Sequence, residues 1–172
     1  MSAASGATWF AAATSRLEPI ALAALSLGAA AIHFGVISEH YAEFALFGAF
    51  FSLIGWFQAL WSVAYVMRPV LWLAVVAIVA NSATILVWAW AHLVGLPFGP
   101  DPGKVEPTKV TDLMATLFEL LLVGGLVWLS WARATARDRE PRRRSRLTAV
   151  VVLILVITVA LGTTVALAQG SM

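Results

Sequence analysis

The chain has 172 residues and a formal net charge of +2, and 61% of its residues are hydrophobic against 12% charged. A soluble domain carries roughly 45–50% apolar and about 25% charged residues, and so short a chain cannot enclose this apolar excess, which must therefore face lipid. The lack of cysteine excludes thiolate nucleophiles, iron–sulfur clusters and Cys-based zinc sites, and the only lysines, Lys104 and Lys109, sit in a Pro/Gly-rich stretch, which excludes an intramembrane Schiff base.

Residues 1–18 carry no basic segment ahead of an apolar one and read as a retained, partly interfacial arm with Trp9 and Phe10, not a cleaved signal peptide. Apolar runs of about 20 residues, enough to cross ~30 Å of hydrocarbon as helices, follow at 19–38, 45–66, 69–94, 110–132 and 147–168. Their apolarity is continuous, without period-two alternation, and lipid leaves backbone groups no partners outside a helix or a closed barrel. The predicted fold is all-α: an integral membrane bundle of five transmembrane helices over residues 19–168, with a short tail at 169–172.

The connections set the orientation. Loop 133–146 holds Arg133, Arg137, Arg139, Arg142, Arg143, Arg144 and Arg146, which predicts a cytoplasmic location. Arg16 and Arg68 then fall on the same side, as does the N-terminus, while the C-terminus and the acidic Glu39–Glu43 turn are extracytoplasmic. The expected location is the plasma (inner) membrane, with the arginine loop fixing topology and nucleic acid not a partner. Loop 95–109 carries Pro97, Pro100, Pro102 and Pro107 among three glycines and reads as a stiff, turn-rich outer cover.

Each polar residue within a run thereby acquires a depth. His33 and His40 are seven apart, as are Asp112 and Glu119, and seven residues return a helix to the same face about two turns on. Ser26 extends the first stripe and Thr116 the second, while Asn81, Thr84, Trp88 and His92 share one face of the third run. Three helices thus each offer a polar stripe in the outer half. A charge at the helix centre costs at least about 2.5–3.5 kcal/mol, so Glu119 is expected to be protonated, paired to His33 or bound to a cation with it. Glu39, His40 and Glu43 form a short E-H-x-x-E cluster at the outer end of the first run. Gln58 and Asn81 read as amides that hydrogen-bond between helices, and Gly48, Ser52 and Gly55 as a small-residue packing face. Trp72, Trp90, Trp128 and Trp131 read as interfacial anchors.

The segment 31–61, with I-H-F-G-V-I-S-E-H at Ile32 to His40 and F-G-A-F-F at Phe47 to Phe51, resembles small polytopic membrane proteins of high-GC actinobacteria. The G-L-P-F-G-P-D-P-G stretch from Gly95 to Gly103 adds to the likeness. The resemblance implies a bacterial membrane protein and carries no catalytic residue with it.

The leading expectation is a transition metal site, for zinc, iron or copper, drawn from His33, His40, Glu43, His92, Asp112 and Glu119, with a role in metal handling or redox chemistry. Imidazole and carboxylate without thiolate suit such ions. A haem b held by His33 and His92 beside Trp88 is an alternative. So is a proton pathway through His33 and Glu119. The last run has no ionisable residue, which also fits an accessory subunit of a homo-oligomer or larger membrane complex. No G-x-S-x-G, H-E-x-x-H or P-loop motif marks the chain as a hydrolase or NTPase.

Overall fold

The computed structural model describes the backbone of residues 3–137 and the side chains of 17–135. The predicted fifth run at 147–168, most of the arginine loop and the tail lie outside the described residues. Within them the chain is all-helical: α1 (Ala3–Glu43), α2 (Ala45–Met67), α3 (Leu71–Leu93) and α4 (Val110–Arg137). Four segments, Leu17–Glu43, Ala45–Met67, Leu71–Leu93 and Val110–Thr135, are long and apolar enough to cross a membrane.

The expected arm does not break from the first run, since α1 begins at Ala3 and passes through Pro19. It also runs on beyond residue 38, so His33 and His40 share one helix. Only Phe44, in an extended conformation (φ −159°, ψ 128°), separates α1 from α2. Arg68 ends α2 for the reason that any residue before a proline leaves the helical region, here at φ −145°, ψ 89°. Gly95 stops α3 at φ 85°, its N–H donating to the Trp90 carbonyl at 3.0 Å, as a left-handed glycine cap does. At the start of α4 the Asp112 carboxylate reaches back to accept the Lys109 backbone N–H at 3.0 Å, half of a capping box.

The helices form a four-cornered bundle in which α1 packs on α2 and α4, and α3 on α4 and more loosely on α2. The α1–α2 seam is close because of small residues on α2: Gly48 lies under the Tyr41 ring and Gly55 under Phe34. Gly28 of α1 meets Phe118 of α4 in the same way. One end of the bundle is filled by an apolar core that includes Leu22, Ile78, Leu122 and Leu126, with Trp61 stacked on Tyr65 at 4.7 Å. The Trp61 indole N–H donates to the Leu73 carbonyl at 2.8 Å, so that the ring is buried without an orphaned donor. Facing outward are large apolar side chains such as Leu53 and Leu60, with Trp72, Trp90, Trp128 and Trp131 also exposed. This inverted exposure suits lipid, not water.

The connection between α3 and α4 folds back over the other end. Gly103 N–H donates to the Leu96 carbonyl at 2.8 Å and Glu106 N–H to the Ala91 carbonyl at 3.1 Å. Gly95 makes this possible by conformation and by space, because a Cβ there would fall 2.6 Å from the Gly103 carbonyl oxygen. Lys109 then ties the loop to α1 through an ion pair with Glu39.

Candidate functional site

Beneath that loop lies a cavity of about 490 Å³. All seven residues singled out for a site, His33, His40, Glu43, Trp88, His92, Asp112 and Glu119, line it. Helix α1 contributes His33 and His40, α3 contributes Trp88 and His92, and α4 contributes Asp112 and Glu119. The seven-residue spacings place these groups at two levels about 10 Å apart along the bundle.

The lower level is a buried polar cluster. His33 Nε2 lies 3.1 Å from Glu119 Oε1, with side-chain exposures of 4% and 1%. The same carboxylate oxygen accepts Gln58 Nε2–H at 2.9 Å, and Gln58 Nε2 also donates to Asn81 Oδ1 at 2.9 Å. Asn81 Nδ2 is satisfied by the Ala77 carbonyl at 2.8 Å, and Ser26 Oγ donates to the Gln58 carbonyl at 2.9 Å. One residue from each of the four helices therefore meets at this point, and Gln58 on α2 reaches α4 across the bundle diagonal. Oε1 is taken by two donors, Oε2 has no hydrogen bond among the described residues, and Glu119 lines the cavity. Below this cluster the apolar core closes the bundle, so the polar chain ends at Asn81 and does not cross the described part of the protein.

The upper level carries two further His–carboxylate pairs. His92 Nδ1 bonds to the Trp88 carbonyl at 2.9 Å, which leaves Nε2 facing Asp112 Oδ2 at 3.6 Å. His40 Nδ1 stands 3.6 Å from Glu43 Oε2. Neither gap is a hydrogen bond. His40 is stacked on Phe51 at 4.1 Å and Trp88 on His92 at 4.8 Å, so the imidazoles are fixed by aromatic neighbours. Among the described residues, four enclosed side-chain polar atoms lack a partner: His40 Nδ1, Gln58 Oε1, Trp88 Nε1 and His92 Nε2. Three of the four belong to cavity-lining residues, and natural proteins seldom leave such atoms unmatched without a reason.

The remaining lining is apolar and acidic. Phe47, Phe50, Phe51 and Phe98 form much of the wall. Both lysines at the rim are committed, Lys104 to Asp101 at 2.8 Å and Lys109 to Glu39. The hydrogen bond to the Asp101 carboxylate, and then its charge, raises the Lys104 ammonium above its ordinary pKa. The Glu39 bond does the same for Lys109 against a smaller opposing effect of burial.

The six candidate metal ligands stand as three His–carboxylate pairs, His33–Glu119, His40–Glu43 and His92–Asp112. Among the described residues no group of three or more His, Asp or Glu side chains could hold a metal ion. Asp112 is in part occupied with capping α4. Gln58, read as an amide that hydrogen-bonds between helices, does so with both Asn81 and Glu119. The phenylalanine walls and the Lys109–Glu39 tie had no periodic signal in the sequence, because they depend on where a non-helical loop lands.

No protein-family model, curated protein or solved structure matches the chain. The site must be interpreted from its own chemistry.

Proposed function

We propose that this protein is a membrane-embedded binding protein whose cavity takes a small organic ligand from the side covered by the 95–109 loop. The single observation that carries the reading is the coincidence of a 490 Å³ cavity with three unpartnered enclosed polar atoms on its walls. Ligand sites are typically of this size, mostly apolar, with a few convergent polar groups. Filling the cavity tests it: Ala115→Leu, at a buried lining position, should abolish retention of small molecules by the detergent-purified protein in native mass spectrometry. Equal retention by wild type and variant would sink the reading.

A transition metal is the second reading, favoured by the 3.6 Å gaps in the His92–Asp112 and His40–Glu43 pairs. A nitrogen and an oxygen that each sit about 2.0–2.1 Å from one tetrahedral zinc are themselves roughly 3.4 Å apart. Either pair would supply two ligands, with water completing the shell. Equilibrium dialysis against Zn²⁺ should give one equivalent in wild type and none in His92→Ala if the His92–Asp112 pair is the site. A haem between His33 and His92 is less well supported, since His33 Nε2 would first have to leave Glu119.

We further propose a fifth span at 147–168, a cytoplasmic N-terminus, and a cavity open to the extracytoplasmic face of the plasma membrane. The arginines of loop 133–146 support that orientation. Reporter fusions after residues 104 and 140 should report opposite sides, and the same side for both would overturn it. An apolar fifth helix would also suit packing against a second copy or another subunit.

A further inference from the structure

We infer that the ligand of this cavity is a protonated amine on an apolar, preferably aromatic body, seated with its ammonium at Glu119; this rests on the cavity being a binding site at all.

Charge selects the class. Carboxylates of Glu39, Glu43, Asp101, Glu106, Asp112 and Glu119 line the cavity, whereas its two lysines are both held in ion pairs with Asp101 and Glu39. An anionic ligand would meet a surplus of like charge with no unpaired lysine to receive it. A cationic one meets the opposite field, focused by low-dielectric walls.

The acceptor atoms point the same way. Glu119 Oε2 is the oxygen left over after His33 and Gln58 have taken Oε1. His92 donates its Nδ1 proton to the Trp88 carbonyl, so in the neutral ring Nε2 carries a lone pair and has no donor. An ammonium, which is donor-only, suits Glu119 on the lower level, while His92 Nε2, about 10 Å higher, is left to accept from a water or from a donor on the ligand body. Trp88 Nε1–H, an unpartnered donor on the wall, is left for a water or for an oxygen on the ligand body.

Size and walls decide against a bare ion as the occupant. A cavity of 490 Å³ far exceeds what one hydrated cation fills, and Phe47, Phe50, Phe51 and Phe98 offer rings to an apolar body. Aromatic faces also attract a cation directly.

Three probes of one shape test the inference: phenethylamine, 2-phenylethanol and phenylacetate, titrated calorimetrically into the full chain in nanodiscs of zwitterionic lipid, with empty nanodiscs subtracted. The amine should bind at least tenfold more tightly than the alcohol, and phenylacetate more weakly than either. Glu119→Gln should lower amine affinity about tenfold and leave the alcohol unchanged. Alcohol or phenylacetate binding as well as the amine would overturn the amine assignment while leaving the cavity as a binding site. An amine preference that persists undiminished in a folded Glu119→Gln protein would overturn the seating at Glu119. If none of the three binds, the cavity reading falls together with the amine. The wild-type comparison stands even if the variant does not fold.

Discussion

His33 and Glu119, 86 positions apart in the chain, meet at 3.1 Å with almost no exposure, and this contact joins α1 to α4 at the floor of the cavity. Gln58 adds a second donor to the same oxygen. Removing the carboxylate strands both donors in an apolar interior. Breaking a buried pair in this way costs about 3–5 kcal/mol in soluble proteins, whereas single polar contacts in membranes average about 0.6 kcal/mol. Glu119→Leu should therefore destabilise the bundle by about 1–3 kcal/mol in a reversible unfolding titration in bicelles. His33→Phe in the same chain should recover part of that loss, because one stranded donor goes with it. A strictly additive double variant would show that the two side chains are not coupled.

At Gly95 the backbone is at φ 85° and a Cβ would press on the Gly103 carbonyl. Gly95→Ala should therefore displace the loop without unfolding the helices. Hydrogen exchange should accelerate at Gly103 and Glu106, whose amides bond to Leu96 and Ala91, while amides in the middle of α2 stay protected. Unchanged exchange at both loop amides would count against the fold-back described above.

Gly48 lies against the Tyr41 ring, with a built Cβ 2.6 Å from Tyr41 Cδ1. The nearest atom is Cγ at the root of the ring, so Tyr41 must shift from its base, and Gly48→Ala should cost about 1–3 kcal/mol as an overpacking change. Adding Tyr41→Ala should remove most of the penalty. A double-variant cycle in unfolding free energy measures it, and no coupling would mean that α1 and α2 are not in register here.

The Lys109–Glu39 tie gives the loop a pH dependence of definite sign. The folded-state pKa of Lys109 is raised, with the Glu39 hydrogen bond the largest cause. A raised lysine contributes its stabilisation fully below its unfolded value, near 10.4, and loses it as pH rises through the folded value. Both partners are exposed, so the contribution is small and screened by salt. A fluorine probe at Phe98 should report a closed loop at pH 8 and a shift toward an open one as the pH rises through the raised Lys109 value. Lys109→Met should show the opened signal already at pH 8.

Four of the five apolar runs are legible in the amino-acid order as helices long enough to span a membrane, because length and apolarity are local quantities. Apolar runs of fixed length answer to the thickness of a bilayer, and Pro69 and Gly95 act on their own backbone. The amino-acid order also placed His33, Glu119, His92 and Asp112 on inward faces and at shared depths, since helical rise and period are constants. Which stripes touch which follows from how the helices pack: Glu119 takes both His33 and Gln58, and His92 faces Asp112 without bonding it, whereas His40 pairs with Glu43 on its own helix. The contacts between helices depend on the separation and rotation of neighbouring helices, set by contacts such as Gly48 with Tyr41 and Gly28 with Phe118. No spacing within a single helix encodes them.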